Sequence, residues 1–459
     1  MVTFLLPDDP VTSLDAYLAT ATGGLGIEQA QRIGPAATIE AVVASGLRGR
    51  GGGGFPTGRK WAGIAAQTGS RRFVVANGAE GEPGTFKDRA LLRANPYQVI
   101  EGLIIAAFAV GAEAVFFCLK RSFERERAAA TRAVQEFQAA GICTDCEVTF
   151  VAGPDEYLFG EEKAMLEVIE GKPPLPRWFA PHEHGLFATA PQVGWEATPR
   201  SAGGGGPNPT LVNNVETLAN VPHILARGGE WFRAMGTPAS PGTIVATVVG
   251  DVVAPDVGEV ELGTPLRAVI DAVGSGIQAG RTVKAVFSGV ANSVVTAEQL
   301  DVPLSYEGFE AIGGGLGSAG FIVYDDTTCM VDTAYRFSRF LSIESCGQCP
   351  PCKIGSGEIT THLEHLETGV GSEEDLRGIV HWLGRVTDGN RCYLPVEERV
   401  VVNSILRAFP DEFAEHVELA GCRRPRRLPI PKLLDLADGE ATYDETIWRK
   451  RPDWTFDPD

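Results

Sequence analysis

The chain has 459 residues, of which 44% are hydrophobic and 22% charged; this globular composition excludes global disorder and, at about 150 residues per domain, suits about three domains. A formal net charge of −19 excludes the clustered Lys and Arg footprint that a nucleic-acid backbone requires, and the one basic run, CRRPRR at 422–427, reads as a solvated turn. The longest apolar stretch, residues 99–119, is broken by Glu101, Gly102, Gly111 and Glu113, short of the roughly 20 clean residues a membrane helix needs.

The start, MVTFLLPDDP, has neither a positive n-region nor a long apolar core, so no export signal is expected. The first marked feature is GRGGGGFPTGRKW at 49–61. Four successive glycines let the backbone approach a ligand closely and turn its amides inward, which suits phosphate or dinucleotide binding. Arg50, Arg59 and Lys60 add positive charge. The run follows no clear strand, so it is not the usual GxGxxG fingerprint.

Residues 73–172 alternate β-rich runs with helical patterns: FVVAN, a Gly-rich loop, a helix near 96–110, AVFFCL, a charged Ala-rich helix ending before Gly141, EVTFVAG, and a helix ending at Gly171. That rhythm predicts an α/β layer with a largely parallel sheet, whose ligands bind at the carboxyl ends of the strands. The loops NGAEGEPGT and GPDEYLFGEE lie there. Glu80 and Glu82 sit on the first, and Glu161 and Glu162 open the helix after the second. Such carboxylates can accept ribose or nicotinamide hydrogen bonds, or merely cap a helix. Cys143 and Cys146 form a lone CxxC, with ordinary thiols and a redox disulfide both open.

Residues 172–210 are punctuated by Pro and Gly, and no regular element is expected. From 241 to 325 the pattern changes to a small α+β unit: TIVATVVG and GEVEL as paired strands, TPLRAVIDAV as a helix behind a Thr cap, KAVFSG and FIVYD as further strands.

The last third is helical, with apolar spacing in four segments between 330 and 409. Cys346, Cys349 and Cys352 repeat in ESCGQCPPC between the first two, and Cys392 follows in NRCYLP. Three thiols on one loop and a fourth from a distant segment describe a cage for an iron–sulfur cluster. Zinc also takes four thiolates, usually from two separate CxxC knuckles. The tail from 421, rich in Pro, Arg, Asp and Trp, reads as an extended strap. With four of nine cysteines assigned to a cluster, a reduced cytoplasmic compartment is expected.

Taken in order, GLRGRGGGGFPTGRKW, EGEPGTFKDR, GPDEYLFGEE, PTLVNNVETLANVP and ESCGQCPPC with its distant NRC resemble the NADH-oxidising flavoprotein subunit of respiratory complex I. That family includes the diaphorase subunits of NAD-linked hydrogenases and formate dehydrogenases. The resemblance implies an α/β fold with a Rossmann-like FMN-binding domain at 1–240, a ubiquitin-like β-grasp (SLBB) domain at 241–326, a C-terminal four-helix iron–sulfur bundle at 327–420 and an extended tail at 421–459. It implies FMN and one 4Fe-4S cluster as cofactors and NAD(H) as substrate: hydride from NADH to FMN, then single electrons to the cluster.

Carried over residue by residue, the resemblance puts the glycine cradle on Gly49, Gly51, Gly52 and Gly54, with Arg50 beside it and Phe55 where an aromatic stacks on adenine. Lys60, Asn77, Tyr157, Gly160, Asn213, Asn214 and Thr217 fall where the family holds FMN, with Glu80 and Glu161 beside them. Glu82 and Glu162 fall at the nicotinamide, in the catalytic role, and Cys346, Cys349, Cys352 and Cys392 are the cluster ligands. The chain departs from the family at Ala79, where an Asp is usual; at Phe179 and His182, where a Lys and a Phe help hold NADH; and at Phe159, where a small residue precedes GEE.

Three functions therefore stand as expectations: an NADH:acceptor oxidoreductase subunit, a flavin and iron–sulfur relay that exchanges electrons with a ferredoxin-like partner instead of NADH, and a non-catalytic scaffold. The expected partner is a small 2Fe-2S thioredoxin-like or ferredoxin-type subunit in a larger redox complex. Neither nucleic acid nor direct membrane insertion is expected, and membrane association would come through partner subunits.

Overall fold

Strands β1 (Phe73–Asn77), β2 (Ala114–Lys120), β3 (Val148–Gly153) and β4 (Thr210–Asn214) form a sheet in the order β3-β2-β1-β4. Every pairing is parallel. The computed structural model describes residues 3–68, 71–142, 147–189, 206–422 and 430–457. Cys143, Cys146 and the basic run at 423–427 lie outside the described residues. The first four residues of both β1 and β4 are buried because helices cover both faces of the sheet.

The interruptions in the apolar stretch at 99–119 each have a structural cause. Helix Pro96–Val110 has Pro at its first turn and ends at Gly111, whose φ of +63° suits the left-handed helix stop before β2. Gly102 lets this helix lie against Val215–Arg227, where a Cβ would sit 2.0 Å from the Leu218 carbonyl oxygen. Glu101 is buried but satisfied: it accepts from the Tyr17 hydroxyl at 2.5 Å and from the Gly24 and Ile27 amides at 2.9 Å, tying down the N-terminal helices. No helix among the described residues is long and apolar enough to cross a membrane.

Strands β5 (Thr243–Gly250), β6 (Asp256–Glu261), β7 (Val283–Ser288), β8 (Val295–Thr296) and β9 (Gly320–Asp325) form a second, mixed sheet in the order β6-β5-β9-β7-β8. The expected β5–β6 pair is antiparallel, and β5 pairs β9 in parallel. Helix Leu266–Val273 packs on this sheet through Leu266, Val269, Ile270 and Val273. Its cap position is Pro265 rather than Thr264, since a proline with fixed φ ends the extended segment just as well.

The helical end holds Met330–Glu344, Pro350–Thr368, Glu373–Leu383 and Leu394–Ala408, the four expected helices, plus a short fifth, Pro410–Glu418. The tail is more than an extended strap: β10 (Leu433–Ala437) and β11 (Glu440–Tyr443) pair as an antiparallel hairpin. It still ties units together. Arg89 donates to the Leu433 carbonyl at 3.0 Å, and Lys450 pairs with the buried Glu344 of the first bundle helix at 2.7 Å.

Candidate functional site

In the first sheet the chain runs outward from β1 to β2 to β3 and then returns to the other side of β1 as β4. A crevice opens where the order reverses, at the carboxyl ends of β1 and β4. Asn77 and Asn214 end these strands as direct partners. Asn77 Nδ2 donates to the Gly160 carbonyl at 2.8 Å. Asn214 Nδ2 donates to Asp88 at 2.7 Å, while its Oδ1 accepts from the Glu216 amide at 3.0 Å and caps Val215–Arg227.

Over this crevice folds the glycine loop, which joins helices Pro35–Ser45 and Thr57–Ala65 with no strand before it. The Gly49 amide donates to the Phe55 carbonyl at 2.9 Å, closing the loop's base. A Cβ on Gly54, at φ +58°, would lie 2.4 Å from the ring of Tyr306, and one on Gly51 would lie 3.1 Å from Cβ of Asn214. The Tyr306 hydroxyl donates to the Gly49 carbonyl at 2.8 Å, so the β-grasp unit supports the loop from beneath.

Together these segments wall a cavity of about 610 Å³, within the usual range for a cofactor pocket. Of the expected binding residues, Gly51, Gly52, Asn77, Glu80, Glu82, Tyr157, Gly160, Glu161 and Asn214 line it. Several others do not. Arg50 is fully buried away from the loop's ligand side, donating to the carbonyls of Arg48, Pro241 and Thr243 at 2.9–3.1 Å. A guanidinium with several carbonyl acceptors inside the protein is held there as a staple, which corrects its reading as cradle charge. Phe55 is 59% exposed at the loop tip and outside the lining. Asn213 accepts from Trp61 Nε1 at 2.8 Å, and Thr217 Oγ1 accepts from the Arg50 amide at 2.9 Å; both shape the loop's supports. Gly49 and Gly54 belong to the same frame. Lys60 and Glu162 satisfy each other in an ion pair at 2.7 Å, also outside the lining.

The carboxylates divide by task. Glu80 accepts from the Asp88 amide at 3.2 Å and from Arg89 at 3.0 Å; Glu161 accepts from the Lys163 and Ala164 amides at 3.0 and 2.9 Å. Both are helix caps as well as cavity wall. Glu82 instead accepts from the Tyr157 hydroxyl and, at 2.6 Å, from the Val290 amide of the β-grasp unit. The same Tyr157 oxygen lies 3.2 Å from Glu397. Burial pushes the Glu82 carboxyl up to about 7 against its hydrogen bonds, and burial followed by the neighbouring Glu82 charge raises Glu397 well above the carboxylate range. Two acids joined through one phenol thus both hold protons more tightly than ordinary carboxyls.

Cys346, Cys349, Cys352 and Cys392 line a second, small pocket. Ser345 Oγ lies 3.3 Å from Cys352 Sγ, and Gln348 Nε2 donates to Cys346 Sγ at 3.6 Å. Burial pushes the Cys352 thiol up to about 11, so ligation at neutral pH must displace a proton. Among the described residues, the groups whose ligand atoms crowd within 4.8 Å lie elsewhere and do not include these four. Leu158, Cys392 and Leu394 line both pockets, so a single layer of side chains separates them.

Sequence reasoning missed the cavity's opposite wall. Ser288, Asn292, Tyr306 and the loop at 314–318 face the glycine loop from the β-grasp unit, and Glu397 enters from the helical end. The second glycine run, GGGLGSAG at 313–320, was the available signal. Ala79 lines the cavity, whereas Phe179 and His182 do not.

Residues 42–223 match the family described as the Nuo51 FMN-binding domain, and residues 332–416 match the NADH-ubiquinone oxidoreductase-F iron-sulfur binding region. The chain is 36% identical over 399 residues to the second F-type subunit of the NADH-quinone oxidoreductase of Rhizobium meliloti, spanning 84% of this chain and 90% of the relative. It is 36% identical over 426 residues to the F-type subunit of the Streptomyces coelicolor NADH-quinone oxidoreductase, covering 90% of each. A chain from the crystal structure of an air-oxidized NAD+-reducing [NiFe]-hydrogenase superposes with a TM-score of 0.77 at 31% identity, over 89% of this chain and 67% of that one. The parallel sheet with its glycine loop, the helical end with its four cysteines and these matches along most of the sequence make the chain a member of the family of F-type subunits of NADH-quinone oxidoreductase.

Proposed function

We propose that the chain is the flavin and iron–sulfur subunit of an NADH-oxidising complex, with FMN in the large cavity and a 4Fe-4S cluster held by Cys346, Cys349, Cys352 and Cys392. The observation that carries this reading is the shared wall of Leu158, Cys392 and Leu394 between the two pockets. FMN supplies the conversion between a two-electron hydride and single electrons for the cluster. The cavity's size and the loop positions that a Cβ would obstruct suit a flat, phosphate-bearing group.

The chain's own contribution is positioning and proton control. Residues 51–54 offer backbone amides, and Asn77 and Asn214 fix the edge of the crevice through their side-chain hydrogen bonds. The Tyr157 hydroxyl holds a proton between Glu82 and Glu397 beside the cavity. Apolar Leu158 and Leu394 keep water from the gap between the pockets.

One core lies almost wholly within 1–240 and another wholly within 241–326, which supports units with those bounds, while the core of the unit at 327–420 also takes in Phe86, Leu158 and Phe287 and, from the tail at 421–459, Leu433 and Ile447. With one cluster pocket among the described residues, electrons must leave to another protein. That need is met by a small 2Fe-2S subunit, thioredoxin-like or ferredoxin-type, and an acidic chain favours a partner with basic docking residues. We place the protein in the cytoplasm within a larger redox complex, reaching a membrane only through partner subunits. Glu82→Gln tests the nicotinamide side: flavin reduction by NADH should slow at least about tenfold with FMN affinity little changed. An unchanged reduction rate removes Glu82 from that role.

A further inference from the structure

Four side chains crowd together at the opposite end of the helical bundle from the cluster cysteines. Cys329 caps helix Met330–Glu344, Glu367 lies in the last turn of Pro350–Thr368, His416 is on Pro410–Glu418, and Cys422 follows that helix. Their ligand atoms all lie within 4.8 Å of one another, with Cys329, Glu367 and His416 buried and Cys422 half-buried. Cys329 Sγ is 3.4 Å from His416 Nε2 and 3.5 Å from Glu367 Oε1, and the latter two atoms are 3.1 Å apart. A tetrahedron with bonds of about 2.3 Å to sulfur and about 2.0–2.2 Å to nitrogen or oxygen has edges of about 3.4–3.8 Å. The three spacings among Cys329, Glu367 and His416 need to change by only a few tenths of an ångström, and Cys422 Sγ lies within 4.8 Å of each.

We propose that Cys329, Glu367, His416 and Cys422 bind one zinc ion as a closed structural site. The histidine is prepared for it. Its Nδ1 donates to the Glu412 carbonyl at 2.6 Å, which makes Nε2 the ring nitrogen that faces the other three donors and would ligate the ion. The chain is bent to bring the last ligand in: Gly369, at φ +80°, passes so close to Ala420 that a Cβ would lie 2.2 Å from its carbonyl oxygen, and this crossing sets Cys422 beside Glu367. A His416–Glu367 ion pair on its own would need neither thiol. Two sulfurs, an imidazole and a carboxylate in this spacing select zinc over magnesium or calcium, which take oxygen donors. All four positions come from protein, so no site is left open for a substrate.

The ion would clamp three helices and the turn at 420–422. The 15 residues of helix Met330–Glu344 separate it from the cluster loop by roughly 22 Å, so its role is to fix the bundle rather than to pass electrons.

The test uses the full chain with flavin and cluster loaded. Elemental analysis after desalting should give about one zinc per chain, and X-ray absorption at the zinc edge should give a shell of two sulfurs and two nitrogen or oxygen neighbours. C329S/C422S should lose the zinc while keeping its iron and flavin. A four-sulfur shell would mean zinc misplaced in the cluster pocket and would overturn the proposal. So would a Cys329–Cys422 disulfide in protein purified anaerobically, or zinc retained by the double variant. Failure of metal-free protein to take up zinc in competition with a chromophoric chelator would overturn it equally. If the double variant does not fold, the stoichiometry and absorption shell of the unmutated protein decide.

Discussion

Asn77 and Asn214 stand side by side at the ends of two parallel strands, each with its amide spent on holding a different segment: Asn77 on Gly160, Asn214 on Asp88 in the first turn of helix Lys87–Ala94. The crevice edge is therefore built from hydrogen bonds that a sequence change of a few atoms can cut.

Asn77→Ala should release the Gly160 carbonyl and the Ala79 amide and weaken FMN binding by about tenfold or more, while global stability falls by only about 2 kcal/mol, the usual worth of two hydrogen bonds. Flavin fluorescence titration and thermal unfolding measure the two effects separately. Equal loss in both would mean that Asn77 serves the fold alone.

Gly54→Ala should abolish flavin retention, because the new methyl would drive into the Tyr306 ring at a positive φ. Gly63→Ala is the control: nothing lies within 4 Å of a Cβ there, and it sits inside helix Thr57–Ala65, so a gain of about 0.5–1 kcal/mol is expected. FMN per chain after gel filtration distinguishes them. Full flavin occupancy in Gly54→Ala would show that the loop can give way.

The Glu82–Tyr157–Glu397 group makes stability depend on pH. Glu82 is pushed from 4.5 to about 7 and Glu397 well above its ordinary value, chiefly by burial. A carboxyl whose folded value is raised contributes stability that is full below its unfolded value and lost as pH rises through the folded one. Cofactor-free protein should therefore lose stability between about pH 5 and pH 8. Glu397→Gln should flatten that slope without erasing it, since Glu161 and Glu398 are also raised, to about 7 and about 8. Melting temperatures across a pH series check this, and a slope identical to that of the unmutated protein would exclude Glu397 as a contributor.

The two marked features of the sequence, the glycine run and the cysteine quartet, were legible because backbone approach and sulfur ligation each demand a particular residue type. β4 was not legible as a strand: TLVNN is short and follows a Pro and Gly-rich stretch, so the reversal of strand order that positions the crevice could not be read. Arg50 misled because charge beside a glycine run looks like a phosphate ligand, whereas the carbonyls of distant Pro241 and Thr243, with that of neighbouring Arg48, take it inward. Glu80 and Glu161 were open between cap and ligand, and the amides they accept from show the cap. Glu397 could not be found from sequence, since only the docking of the helical end beside Tyr157 brings it to Glu82.

Anaerobic stopped-flow mixing of the loaded protein with NADH tests most directly whether one chain carries electrons from nicotinamide to cluster. Flavin absorbance should bleach within the dead time or the following milliseconds, with cluster absorbance falling after it, and Cys349→Ala should keep the first phase and lose the second. Bleaching by dithionite or a reduced ferredoxin but not by NADH would contradict it, as would loss of bound flavin in Cys349→Ala.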